Sequence, residues 1–408
     1  MLDGRSEHLA VLEAPGPASD GGEPSVGSRL GGACAVAAEH ASAVDREGRF
    51  PAEAVAALKA ARLMGMAVPT AFGGGGADLA EVADACFKLG RCCSSTALIF
   101  AMHQIKVACV VRHGAGSRFH DGVLREVAAR QWLLASSTTE GLNGGNVRNS
   151  AAAVEAADDG SITLDRDSTV ISYGAEADAI VTTARRSTES VGSDQVLVVL
   201  LREHYRLDPG QAWETLGMRG TCSRGFKLKA RGAPEQVLPA GYDVIHARTM
   251  TPVAHVLWGA VWGGIAAAAV ERAQTFVRTA ARRAKGQLPP GAAHYTRAQS
   301  TLRGLRALVR DGIARYEAAL RDEALFASVD FNVAMNLLKV EASEAAVAAV
   351  LSSLRACGLS GYRTDGEASV GRLLRDVLSA PLMINNDRIL SSLAMPALMG
   401  ALPAGLAD

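Results

Sequence analysis

The stretch from Leu134 to Arg185 constrains this chain more than any other. It runs LASSTTEGLNGGN, then a polar variable segment, then VISYGAEADAIVTTAR. The first part passes from apolar residues to hydroxyls and an acid (Ser136, Ser137, Thr138, Thr139, Glu140), then to the turn Gly144-Gly145-Asn146. The second opens β-rich at Thr169, Val170 and Ile171, turns at Tyr173-Gly174, and resumes apolar residues from Ala179 to Val181. Strands interrupted by such turns bring hydroxyls and free backbone N–H groups to one ligand.

The sequence on either side is helical. Punctuation at Phe50-Pro51, Pro69 and Gly73 to Gly76 separates amphipathic segments at Pro51 to Leu63, Ala77 to Leu89 and Ser95 to Arg112. Ser161 to Asp165, Ala179 to Thr183, Gln195 to Leu201 and Phe226 to Lys229 read as short strands. From Thr251 onward four helical blocks follow: Val253 to Ala284, Tyr295 to Ser328, Phe331 to Cys357 and Val370 to Met399. Residues 257–270, LWGAVWGGIAAAAV, are small and apolar on nearly every face, which predicts burial all round, between subunits. At 408 residues the chain is too long for one ordinary core. The fold class is therefore α+β: a flexible lead at 1–28, a helical domain at 29–130, a small β barrel or sandwich at 131–248, and a four-helix bundle at 249–408.

Charge and cysteines narrow the setting. Net charge is zero and the pI is near 7.1, so nothing electrostatic points to nucleic acid or an anionic membrane. The apolar runs are broken before ~18 residues, which argues against membrane insertion. The first residues lack the apolar core of a signal peptide. Seven cysteines without metal spacing predict a reduced, cytoplasmic protein and no metal site.

The two central segments resemble the flavin-cradling TEPxxGSD and WITNGxxAD motifs of the acyl-CoA dehydrogenase family. FP at 50–51 followed by GMAVPTAFGGGGADLAE (65–81), LGMRGTCSRGFKL (216–228) and ACGLSGYRTDGEASVGRLLRD (356–376) resemble further family segments in the same order. The resemblance covers about residues 30 to 400 and implies the family's three-part fold, FAD and a homodimer or homotetramer. It implies that Ser136 to Gly145 line the flavin, with Thr139 near the pyrimidine edge, and that Asn146 replaces the motif's aspartate. Ser172 stands for the threonine that meets flavin N5, and Val170, followed by Ile171, for a frequent tryptophan. Arg282, Gln299, Arg355, Gly358, Leu359, Asn386 and Arg388 resemble cofactor contacts made across a subunit interface.

Oxidation of an acyl thioester at Cα–Cβ needs a base for the α-proton. The family's usual glutamate position is Ile384 here, and the alternative position on the first bundle helix is Ala254, beside His255. His255 is then the candidate base, expected to titrate near neutrality. His103, on a helix resembling the wall of the acyl pocket, is a substrate-pocket candidate together with Ile384, whereas Glu140 and Glu367 read as solvent-facing loop residues. The leading expectation is dehydrogenation of an acyl thioester carried by coenzyme A or a carrier protein. Electrons would pass to an electron-transfer flavoprotein or to oxygen. The alternatives are a flavin-dependent monooxygenase, which needs no such base, and a catalytically degenerate binding partner.

Overall fold

The computed structural model describes residues 26–140, 147–399 and 405. The turn Gly144-Gly145-Asn146 lies outside the described residues, as does the expected lead up to residue 25. Helix begins at Val26, inside that expected lead.

Five helices form the first layer: α1 (Val26–Glu47), α2 (Ala52–Ala60), α3 (Leu79–Cys92), α4 (Ser94–His113) and α5 (Arg118–Arg130). Asp78 and Glu81 start α3 with a reciprocal capping box, the Glu81 N–H donating to Asp78 Oδ1 at 2.8 Å and the Asp78 N–H to Glu81 Oε2 at 3.0 Å. Helix α4 is buried nearly all round, at the junction of the three parts.

The middle part holds seven strands: β1 (Leu134–Ser137), β2 (Glu155–Ala156), β3 (Ile162–Ser168), β4 (Ala179–Arg185), β5 (Gln195–Leu201), β6 (Tyr205–Pro209) and β7 (Phe226–Gly232). They form two sheets, ordered β1-β4-β5 and β2-β3-β7-β6. β1 runs parallel to β4, with Ser137 opposite Thr182. Thr169 to Ile171 do not extend a strand as expected. β3 ends at Ser168, and Tyr173 turns the chain with φ 42°, its hydroxyl donating to the Leu134 carbonyl at 3.0 Å.

The last part contains α6 (Tyr242–Ile245), a π turn (His246–Met250), then α7 (Thr251–Arg283), α8 (Ala292–Arg321), α9 (Val329–Tyr362), α10 (Gly371–Val377) and α11 (Asn386–Met399). The expected fourth block is thus divided. Pro381 and Ile384, with φ 47°, interrupt it, and Asn385 Oδ1 caps the new helix by accepting from the Asp387 N–H at 2.9 Å. Helix α7 is buried by its own chain rather than by another subunit. Glycines let it approach α3 so closely that a Cβ on Gly264 would stand 2.2 Å from the Phe87 carbonyl oxygen. Ser94–His113 and Tyr242–Arg283 are long and apolar enough to cross a membrane, yet 83% and 89% of their apolar windows are buried in this core.

Candidate functional site

The three parts meet around a pocket of about 80 Å³, partly open to solvent. Helix α4 contributes Met102, Ile105 and Lys106, one face at helical spacing. Ser136 and Thr138 come from β1 and its exit, and Val147 from the segment beyond. The continuous α6–α7 segment supplies Tyr242, His246, Met250, Thr251, Ala254, His255 and Trp258, while Ile384 closes the side before α11. A π turn shifts the helical register locally, and here it swings His246 and Met250 into the wall.

Strand alternation divides the hydroxyls of β1. Ser136 and Thr138 face the pocket, whereas Ser137 turns into the sheet interior and pairs with Ser168 Oγ at 2.8 Å. Ser137 therefore offers a ligand no side chain, contrary to expectation, and Thr139 does not line the pocket either. Glu140 is not solvent-facing. It is buried against Arg166 at 2.9 Å and accepts from Ser150 Oγ at 2.8 Å and the Ala151 N–H at 2.6 Å. This ion pair pins the loop that leaves β1.

The same correction applies on α4. His103 is fully buried away from the pocket, its Nε2–H donating to the Met64 carbonyl at 2.8 Å while Nδ1 accepts the Leu134 N–H at 3.0 Å. It ties α4 to β1, and burial pushes its pKa down to about 4. The pocket face lies one residue before it and two to three after it. Lys106 was missed. Its Nζ, also buried, has only the Met250 sulfur nearby, at 3.6 Å, and burial pushes its pKa down to about 8.

His255 lines the pocket as the register predicts, with Nδ1–H donating to the Met335 carbonyl at 2.8 Å. That bond assigns the proton to Nδ1 and leaves Nε2 as an acceptor. Complete burial pushes its pKa to about 3, not the near-neutral value expected, so the ring is neutral at any ordinary working pH. His246 is likewise held at about 4 by burial and by the cations Arg148 and Lys106.

Ile384 owes its place to a buried polar cluster. Lys339 Nζ donates to the Ile384 carbonyl at 3.3 Å and to Asn386 Oδ1 at 2.6 Å, and Asn386 Nδ2 donates to Ser343 Oγ at 3.0 Å and Glu344 Oε1 at 2.8 Å. Asn386 is thus engaged within its own bundle.

Outside the pocket, Ser172 Oγ pairs with Ser223 Oγ at 2.7 Å, which pairs with Thr221 Oγ1 at 2.8 Å. The Met218 N–H donates to buried Asp376 at 2.7 Å, and Arg375 pairs with Asp45. Arg375-Asp376 therefore binds α10 to the β region and to α1. Among the described residues, no cluster of three or more His, Cys, Asp or Glu side chains is arranged to hold a metal.

Comparison with known proteins now places this geometry. Residues 33–130 match the family profile described as "Acyl-CoA dehydrogenase, N-terminal domain". FMN-bound TdsC from Paenibacillus sp. A11-2 superposes with a TM-score of 0.78 at 18% identity, over 92% of this chain and 98% of that one. Residues 33–130 are thus an acyl-CoA dehydrogenase N-terminal domain, and the whole chain has the acyl-CoA dehydrogenase-like fold. KijD3, in complex with FMN and an amino keto sugar nucleotide, gives a TM-score of 0.74 at 23% identity, over 91% and 93%. By sequence, a dibenzothiophene monooxygenase from Mycolicibacterium goodii is 23% identical over 295 residues, 69% of each chain.

Within the acyl-CoA dehydrogenase fold, both positions expected of a catalytic carboxylate, Ile384 and Ala254, line the pocket and carry none. Of the residues expected to reach a neighbouring subunit, Arg282, Arg355, Gly358, Leu359 and Arg388 are exposed on the bundle, and Gln299 is half-buried with Nε2 on the Tyr295 hydroxyl at 3.2 Å. None of them lines this chain's own pocket.

Proposed function

We propose that the protein is a flavin-dependent monooxygenase built on the acyl-CoA dehydrogenase fold. The observation that carries this reading is the chemistry of the pocket: donors and neutral imidazoles, with no carboxylate at either base position. A thioester dehydrogenase with Ile384 and Ala254 there has nothing to take the α-proton, since His255 is too weak a base. The dibenzothiophene monooxygenase of M. goodii, by its name, performs oxygenation on a related sequence.

The residues fit a flavin. Ser136 and Thr138 present hydroxyls to carbonyl and nitrogen acceptors along a ring edge, and the Trp258 indole gives an apolar wall for a planar heterocycle. FMN is the form we assign, in place of FAD, because the TdsC and KijD3 neighbours are described with FMN. A reduced flavin held there would supply the two electrons that oxygenation needs, with one oxygen atom going to substrate and the other to water. The chain's own part is to exclude water, to hold the substrate between α4 and α7, and to keep His246 and His255 neutral as acceptors.

The test has two arms. Oxidised flavoprotein mixed anaerobically with acyl-CoA thioesters of graded length should show no bleaching of the flavin band. The pre-reduced protein should react with oxygen, and with dibenzothiophene, indole or 2-naphthalenesulfinate as first probes it should place ¹⁸O from ¹⁸O₂ in a product. Bleaching by any thioester would restore the dehydrogenase reading.

A further inference from the structure

Among the described residues, two hydrogen-bond donors of the pocket, Lys106 Nζ and Trp258 Nε1, lack an oxygen or nitrogen acceptor. Lys106 Nζ is buried against the Met250 thioether at 3.6 Å, a weak acceptor, and Trp258 Nε1 is buried with none. Burying an ammonium group without a counter-charge is costly unless a ligand completes it.

Among the described residues, no acid lines the wall. The groups facing Lys106 are Cys109 on its own helix, Arg166 from β3 and His246 from the π turn. Of the carboxylates next to the wall in sequence, Asp243 is exposed and Glu140 is paired with Arg166 at 2.9 Å. Arg148 adds a further positive charge beside His246. Around these donors the surfaces are apolar: Met102, Ile105, Ala254, Trp258 and Ile384.

We infer that the substrate is an apolar or aromatic compound carrying a compact oxyanion, a carboxylate or sulfinate, which docks on Lys106 with Trp258 Nε1 as the second donor. This inference deepens the monooxygenase reading and rests on the same pocket. Lys106 acts here as a specificity-determining residue: it holds one end of the substrate so that the other lies between α4 and α7. A neutral isostere would leave the ammonium unpaired, so the site discriminates by charge at equal shape.

The experiment is calorimetric titration of the protein as purified with 2-naphthoate, 2-naphthalenesulfinate and the uncharged 2-naphthamide. The anions should bind about 10- to 100-fold more tightly than the amide at pH 7, the range expected of a charge-assisted hydrogen bond. Lys106→Met and Lys106→Gln should each abolish that preference, and unchanged binding of 2-naphthamide shows that the pocket is intact. The preference of the parent protein should also weaken as pH rises through about 8, where Lys106 loses its proton. Equal affinity for the three probes in the parent, or a preference surviving in both variants, overturns the inference. Loss of FMN binding in both variants, with the amide still bound, also overturns it by assigning Lys106 to the cofactor. Failure of the monooxygenase reading shows separately, as thioester bleaching or absence of ¹⁸O in product, and leaves these titrations interpretable.

Discussion

At the scale of single residues, burial decides what each ionisable group in this site does. Arg166 in β3 and Glu140, just beyond β1, are buried with side-chain exposures of 1% and 5% and pair at 2.9 Å. Replacing Glu140 with Leu strands the guanidinium in the interior and should cost about 3–5 kcal/mol in urea unfolding, far more than loss of any exposed pair. An unfolding free energy within about 1 kcal/mol of the parent would show that the loop holds without the pair. The histidines give a signed prediction for pH. His103 and His246 are held near 4 and His255 near 3, below their ordinary 6.5, so the unfolded chain binds more protons than the folded one between those values. Their contribution is complete above about 6.5 and is lost as pH falls toward 4. Thermal midpoints should drop steeply across that interval, and His103→Gln should flatten the drop. A pH-independent midpoint from 7 to 4 would mean that these rings charge without penalty.

At the scale of elements, close approach between helices carries information that side-chain lists miss. Glycine inside a helix usually costs about 1 kcal/mol relative to alanine, so Gly264→Ala on an ordinary helix would stabilise. Here the added methyl carbon would stand 2.2 Å from the Phe87 carbonyl oxygen and 2.9 Å from the Gly90 Cα. The variant should instead destabilise by about 1–3 kcal/mol, because α3 and α7 are forced apart and the pocket face of α7 moves with them. A neutral or positive change in urea unfolding would show that α3 yields. Element breaks matter as much as contacts. The division of the last block at Pro381 and Ile384 turns one expected helix into a turn that reaches the pocket, held by Lys339 and Asn386.

At the scale of the whole molecule, several large apolar side chains of the bundle are left facing water. Leu359, Tyr362, Leu382, Leu398 and Met399, at the end of α9, in the turn before α11 and on α11, are each more than 70% exposed. Residues expected to act across an interface, Arg355, Gly358, Leu359 and Arg388, belong to the same region of the chain. We propose that a second copy covers the end of α9, where exposed Leu359 and Tyr362 stand beside exposed Arg355 and Gly358. Sedimentation velocity should give at least a dimer, and Leu359→Glu with Tyr362→Glu should shift it to monomer while releasing flavin into solution. A parent protein that sediments as a monomer and keeps its flavin refutes the assembly.

Periodicity and motif order by themselves determined the α+β class, the place of the β region, and the two positions, Ala254 and Ile384, where a catalytic carboxylate is missing. Those are local properties: helical and strand spacing, and the identity of a residue at a given step along the chain. Only tertiary structure decided which face of each element meets the site. The sequence pointed to His103 on α4, but Met102, Ile105 and Lys106 face the pocket, because His103 is turned away by its bonds to Met64 and Leu134. Ser136 and Ser137 are neighbours of one chemical type, and the β1–β4 register sends one to the pocket and the other to Ser168. Glu140 and Lys106 look alike on paper, as charged residues in a run. Burial gives the first a partner in its own chain and leaves the second facing the pocket with none but a thioether. Local sequence sets what a segment is; desolvation and the partners brought by distant segments set what its side chains are for.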